Sequence, residues 1–108
     1  MINAKTEFLQ HIETREVKCA EISTGVEWLE EEKKYYRLPI DYRTEQYAEF
    51  VDSLNFNYDS GYGGQELFGT IWYADGTWSE RGEYDGSEWW EHRECPAVPD
   101  VLHQRTES

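Results

Sequence analysis

The sequence predicts an α+β fold, an antiparallel sheet with a C-terminal three-stranded meander packed by one or two helices. Two observations predict it. Three β-favouring runs follow one another near the C-terminus, joined by the hairpin-forming pairs Asp75-Gly76 and Asp85-Gly86. Before them, apolar residues recur at the i, i+3, i+4 and i+7 positions of an amphipathic helix. The runs are 67–73, 77–83 and 87–93, and the helical positions are Tyr47, Phe50, Val51 and Leu54.

The N-terminal half predicts a further helix and two further strands. Asn3 is a suitable N-cap for a helix from Ala4 to Glu13, and Thr44 is a suitable N-cap for the amphipathic helix around Phe50. Runs 17–23 and 35–40 favour β-structure, the second with Pro39 near its end. Between them, 25–34 is compatible with either a helical turn or a solvated loop.

The length of 108 residues allows one small domain. We expect it to span residues 1–102 and to be followed by a flexible tail, 103–108. The first residues lack the basic and apolar blocks of a signal peptide, and no apolar run is long enough to cross a bilayer, so a cytoplasmic location is expected. In that compartment Cys19 and Cys95, which form no CxxC motif, are expected to be reduced and structurally passive.

The charge is strongly acidic and unevenly distributed. The chain has 23 Asp and Glu against 10 Lys and Arg, a net charge of −13. Residues 1–50 contribute −4 and residues 51–108 contribute −9. Such a field repels nucleic acid and anionic membranes and attracts basic proteins over long range. A cationic protein partner is therefore favoured, while solubility alone is the alternative explanation of the charge.

Aromatic and acidic side chains alternate along the meander. Successive residues of a strand point to opposite faces, so each strand presents rings on a surface that also carries carboxylates. If helices cover one face, the other is predicted to be a shallow aromatic surface with an acidic rim. Of the four tryptophans at 72, 78, 89 and 90, at least two are expected in the core. The predicted partner-binding residues are Asp75, Glu80, Glu83, Asp85, Glu88, Glu91, Trp78, Trp90 and Tyr62, the last in a glycine-rich loop.

No recognisable catalytic signature is present, and we expect a protein that is not an enzyme. Carboxylates beside tryptophans match the composition of a glycosidase or a sugar-binding site, but three strands near one surface enclose little substrate. The Asp-Gly pairs lack the spacing of a calcium loop, and the glycines at 61, 63 and 64 lack the lysine and helix of a phosphate loop. The histidines at 11, 92 and 103 are expected to be ordinary surface residues. Neither a metal nor a cofactor is expected.

The aromatic stretch from Tyr58 to Trp72, continued by Asp75-Gly76-Thr77-Trp78 and by Glu83 to Trp90, resembles a small uncharacterised family of proteins from phages and mobile elements. The resemblance covers about residues 35–102 and implies no particular activity. In size and charge the chain is also similar to anti-CRISPR and anti-restriction inhibitors. A globule of this length is about 33 Å across, and a duplex of that length carries roughly 20 phosphates.

These observations favour an acidic inhibitor that binds a basic nucleic-acid-handling protein, such as a CRISPR effector or a restriction enzyme, partly by imitating phosphates. An immunity protein against a basic toxin uses the same electrostatics and is the first alternative. A carbohydrate-binding or carbohydrate-active domain is the second. Direct binding to nucleic acid or to a membrane is not expected, and the unpaired edge of the meander leaves a homodimer open.

Overall fold

A computed structural model describes residues 2–25, 33–58, 65–84 and 87–95. The α+β prediction is confirmed, with two helices on a five-stranded antiparallel sheet whose last three strands form the meander. The helices are α1 (Ala4–Ile12) and α2 (Thr44–Ser53). The strands are β1 (Ile2–Asn3), β2 (Val17–Thr24), β3 (Lys34–Leu38), β4 (Asn57–Tyr58), β5 (Leu67–Tyr73), β6 (Trp78–Tyr84) and β7 (Ser87–Arg93).

Both helices begin where local hydrogen bonds satisfy free backbone groups. The Asn3 side chain accepts from the Thr6 amide at 2.9 Å, which confirms its prediction as the cap of α1. The prediction of Thr44 as the cap of α2 is wrong by one residue. Arg43 is the N-cap, and its backbone N–H donates to the Gln46 side chain at 2.7 Å. Thr44 is already helical.

The five-stranded sheet has the order β3-β2-β5-β6-β7, so the N-terminal hairpin joins the meander through β2 and β5. The predicted bounds of β5 and β7 are confirmed, and those of the other three strands are shifted by one or two residues. A bulge between Val17 and Cys19 turns Val17 to the same face as Ala20 and Ile22. All three of these residues are buried, so this face of β2 belongs to the core.

The core lies between the two helices and one face of the sheet. Phe8 and Ile12 of α1 are buried there, and the predicted amphipathic face of α2 contributes Phe50, Val51 and Leu54. The Phe8 and Phe50 rings meet edge to face, with centroids 5.6 Å apart. The helices thus cover one face, as expected, and leave the opposite face, here called the open face, without a helix from the described residues.

The short strands β1 and β4 pair in a separate two-stranded sheet that no pattern in the sequence predicted. Each has two residues, too few to show a period. This pairing places Tyr58 against the core. The rest of the glycine-rich loop, the segment 26–32, Asp85 and the predicted tail lie outside the described residues.

Candidate functional site

The open face carries most of the large apolar side chains that are exposed in the described part of the chain. Tyr35, Trp72, Tyr84 and Trp89 lie on four different strands and are 43%, 43%, 77% and 39% exposed. Trp78, half-buried, pairs with Trp72 across β5 and β6. We call these five residues the aromatic patch; Trp72 and Trp78 lie near the β5–β6 turn, and the other three lie towards the opposite end of the same sheet face.

Charged side chains on the open face are held in pairs. Arg37 donates to Glu21 at 2.7 Å and lies over the Tyr35 ring, 4.6 Å from its centroid. Arg93 contacts Glu80 at 2.5 Å and Glu91 at 3.1 Å. The carboxylates of this face therefore stand beside guanidinium groups, and the face is close to neutral. It is not the array of free carboxylates that the sequence predicted.

Two predicted surface residues are buried, and their prediction as exposed partner contacts is wrong. Glu88 has a side chain with no exposed area, and Trp90 is 7% exposed. Both lie on the helix-covered face because alternation places them opposite Trp89 and Glu91. Of the four tryptophans that were expected to supply at least two core residues, Trp90 alone is buried.

The remaining predicted residues are divided between the faces and the turns. Glu80 and Glu91 lie on the open face with Trp78, while Glu83 is exposed on the opposite face. Asp75 is exposed in the β5–β6 turn, where it accepts from the Thr77 amide at 2.9 Å. Those bonds to Thr77 hold the pKa of this carboxyl below its usual range. Asp85 and Tyr62 lie outside the described residues.

Beneath the helix-covered face, Arg81 joins two carboxylates in a buried ionic cluster. Its guanidinium, with a side chain 1% exposed, lies 3.1 Å from a Glu7 oxygen and 3.2 Å from a Glu88 oxygen. It also donates to the Tyr58 hydroxyl at 2.8 Å, and that hydroxyl donates to Glu7 at 2.5 Å. Burial and the bond to Glu7 raise the pKa of Tyr58 well above its usual range.

The second carboxylate of this cluster also fixes backbone. Glu88 accepts from the amides of Glu66 and Leu67 at 2.8 and 3.0 Å, where β5 begins. Arg81 lies 5.0 Å from the centroid of the Trp90 ring, which closes the cluster from the other side. Because every charged member touches another, the cluster ties α1, β4, β5, β6 and β7 together and serves the fold.

A second polar chain links His11, Ser79 and Tyr73. The His11 Nε2 atom and the Tyr73 hydroxyl each lie 2.7 Å from the Ser79 Oγ atom. This geometry resembles a nucleophile beside a base, and no sequence motif predicts it because 68 positions separate His11 from Ser79. Ser79 is fully buried, so a substrate cannot reach it. The expectation of ordinary surface histidines is wrong for the half-buried His11 and His92.

The environment of His11 makes stability depend on pH. Burial and the nearby Arg15 lower its pKa below the usual 6.5, so the folded protein binds fewer protons here than the unfolded chain as the pH falls. This contribution to stability is present above pH 6.5 and is lost as the pH falls towards the lowered pKa. We therefore expect His11→Gln to flatten the fall in melting temperature below that pH. Parallel curves for the two proteins would contradict this assignment.

A groove with a volume of about 410 Å³ runs between α1 and β7. Trp89 and Trp90 line one side, and residues from α1 and the turn after it line the other. The lining of the second side is Glu7, Gln10, His11, Glu13 and Arg15. His11 stacks on Trp90 with ring centroids 6.2 Å apart. The groove is open, and its lining offers both hydrogen-bond donors and acceptors beside aromatic rings.

The described residues hold no cluster of three or more His, Cys, Asp or Glu side chains arranged to bind a metal ion. Neither helix in those ranges is long and apolar enough to cross a membrane. Cys19, on the open face, and Cys95 are both free thiols. The arrangement thus offers two surfaces for contacts with other molecules, the aromatic patch and the groove beside β7.

No family model, curated protein or solved structure matches the chain. The resemblance to phage and mobile-element proteins accordingly stays a prediction. The chemistry of the two surfaces supplies the remaining argument about function.

Proposed function

We propose that this domain is a non-catalytic binding protein that docks a cationic protein partner on the aromatic patch of its open face. The observation that supports this most strongly is the composition of that face. Tryptophan, tyrosine and arginine are the residues that dominate the energetics of protein–protein interfaces. Here three tryptophans, two tyrosines and two arginines share one sheet surface.

The dimensions of the face are consistent with this use. Five strands about 4.8 Å apart, each about seven residues long, cover roughly 570 Å² in projection. One side of a standard interface buries about 800 Å², and the accessible area of a face with projecting rings exceeds its projection. Paired groups such as Arg37 and Glu21 already have partners, so a protein surface can cover them without leaving isolated charges.

The net charge of −13 indicates the kind of partner. The acidic groups act at a distance, where they accelerate encounter with a basic protein, while the rings supply close contacts. The same charge disfavours a second copy of the chain and disfavours nucleic acid. We therefore propose a basic nucleic-acid-handling protein as the partner and inhibition of its nucleic-acid binding as the outcome. Steering by charge replaces literal imitation of phosphates in this proposal, because Glu88 is buried and Arg93 pairs with Glu80 and Glu91.

The test compares two alanine variants of similar starting exposure. Trp72→Ala removes a ring of the middle strand β5 that is 43% exposed, whereas Leu9→Ala removes an apolar side chain of α1 that is 39% exposed. With a basic partner identified by cross-linking, we expect Trp72→Ala to weaken binding about thirtyfold, or about 2 kcal/mol. Leu9→Ala should change affinity less than about threefold, as surface positions outside an interface do. Isothermal calorimetry measures both.

Salt provides the second measurement. The association rate of the unmodified protein should fall as ionic strength rises, because the Debye length shortens from about 30 Å at 0.01 M to about 10 Å at 0.1 M. The proposal would be overturned if the association rate did not change with ionic strength and Trp72→Ala did not change the affinity. Saturable binding of a glycan that quenches tryptophan fluorescence, with no protein partner captured, would favour the carbohydrate-binding alternative.

A further inference from the structure

Strand β7 ends the sheet on one side, and its outer edge carries backbone groups without a ladder partner among the described residues. It is seven residues long and contains neither proline nor glycine. Long edge strands of this kind are templates on which another strand can pair. The opposite edge strand, β3, is shorter at five residues and carries α2 beside it.

The hydrogen-bonding parity of the meander identifies which groups face outward. The Tyr73 amide donates to the Thr77 carbonyl across the β5–β6 turn at 2.9 Å. In an antiparallel ladder the residues that bond to a given neighbour alternate along the strand, so Ser79 bonds towards β5 and Glu80 bonds towards β7. Glu80 pairs with Glu91, so the backbone N–H and C=O groups of Glu91 bond to β6. The backbone groups of the residues on either side of Glu91 therefore face the outer edge of the sheet. These residues are Trp90 and His92.

The groove described above lies along this same edge. Its lining includes both Trp89 and Trp90, although consecutive residues of a strand point to opposite faces. A groove that touches both follows the outer edge of β7 at the backbone between them. A strand added about 4.8 Å beyond β7 would place alternate side chains between β7 and α1.

The lining of the groove favours cationic side chains. Glu13 contributes an exposed carboxylate, and Glu7 adds a second one that is already paired with Arg81, against the single guanidinium of Arg15. That guanidinium is engaged, because it donates to the His11 carbonyl at 2.8 Å and lies over the Tyr73 ring. The Trp89 ring, which is 39% exposed, offers a surface for the alkyl stem of a lysine or arginine, and aromatic faces attract such cations.

We propose that an extended, basic segment of the protein partner adds to β7 as a sixth strand, with its lysine or arginine side chains in the groove between β7 and α1. This inference rests on the proposed function, in which the partner is a cationic protein, and names a second contact with it. Backbone pairing supplies the attachment, and the groove supplies the preference for basic side chains. The acidic net charge of the chain acts against a second copy at this edge.

The first experiment uses the full chain and a synthetic peptide of alternating lysine and valine. In the free protein, the amides of Trp90 and His92 should exchange with solvent faster than those of Trp89 and Glu91. The peptide should slow exchange at Trp90 and His92 by about tenfold at saturation. A peptide of alternating glutamate and valine should leave it unchanged. Equal protection by both peptides, or protection at all four amides before peptide is added, would overturn the proposal.

Two matched pairs of variants localise the contact. His92→Pro removes an outward amide and His92→Ala removes only the side chain, so the proline variant should bind the lysine peptide about tenfold more weakly than the alanine variant. Glu13→Lys reverses the charge of a residue that lines the groove, and Glu49→Lys makes the same change at an exposed position of α2, away from the groove. We expect about fivefold weakening from Glu13→Lys and little from Glu49→Lys. If His92→Pro fails to fold, the Glu13 and Glu49 pair decides the outcome.

The outcomes separate this inference from the proposed function. Loss of partner binding in Trp72→Ala but not in His92→Pro or Glu13→Lys would keep the aromatic patch and overturn the sixth strand. Lysine-peptide protection at Trp90 and His92 without any effect of Trp72→Ala on the partner would support the strand and overturn the patch. Protection of these amides that grows with protein concentration would assign the edge to a second copy and overturn the proposal.

Discussion

Replacing Arg81 with methionine should lower the free energy of unfolding by about 3–5 kcal/mol, since removing one partner of a buried ion pair leaves its counter-charges uncompensated. Glu7 and Glu88 would face each other across the vacated space, with side chains 18% and 0% exposed. Glu88 would keep its two backbone amides, whereas Glu7 would keep the Tyr58 hydroxyl. Methionine fills comparable space, so the loss reports charge more than volume.

Chemical denaturation measures this effect, and Arg93→Met is the matched control. Arg93 also touches two carboxylates, but its side chain is 48% exposed on the open face, and such pairs contribute about 1 kcal/mol or less. Adding Glu7→Gln to Arg81→Met should restore part of the lost stability because one uncompensated charge disappears. Equal effects of Arg81→Met and Arg93→Met would refute the view that the cluster holds the fold together.

Replacing Gly69 with alanine should destabilise the protein by about 2–6 kcal/mol, the sum of backbone strain and overpacking. Gly69 has a φ of +154°, which L residues rarely adopt. A Cβ atom there would lie 2.6 Å from the Glu21 carbonyl oxygen and 3.0 Å from the Ile22 Cα atom. Both contacts are to the backbone of the neighbouring strand β2, so no side chain can rotate out of the way.

Gly76→Ala separates the two causes. Gly76 also has a positive φ, +90°, but a Cβ atom there meets nothing within 4 Å. Its replacement should cost about 1–2 kcal/mol from strain alone. Thermal unfolding of both variants measures the difference. A Gly76→Ala variant as unstable as Gly69→Ala would show that close packing between β2 and β5 contributes little.

Local signals determined how far the sequence could predict the fold. The bounds of β5 and β7 were predicted correctly from β-favouring runs and the hairpin-forming Asp-Gly pairs between them. Both signals are short-range properties of the sequence. Asn3 was recognised for the same reason. The bulge at Val17 and the pairing of β1 with β4 depend on partners far along the chain, and no local pattern announces them.

The candidate site was harder to predict because alternation divides residues into two faces without saying which face is covered. Alternation alone places Arg81 and Ser79 on the same side of β6, yet a charged and a polar residue give no sign that this side is buried. The reason emerges only in three dimensions, where Glu7 and Glu88 surround Arg81 from 74 and 7 positions away. The many aromatic residues of the meander, among them Trp72 and Trp78, indicated an aromatic surface, but which of them are exposed depends on where the helices pack.

The Arg81 cluster joins residues that are far apart in the chain, which limits when the protein can complete its folding during synthesis. A ribosome delivers Glu7 in the first helix long before it delivers Arg81 and Glu88, near the end of the described chain. The helix cannot gain its ionic anchor until β6 and β7 have emerged, and contacts of such wide sequence separation are slow to form. Folding should therefore finish only after synthesis of the last strand, and chains that stop before residue 88 should be substrates for proteases.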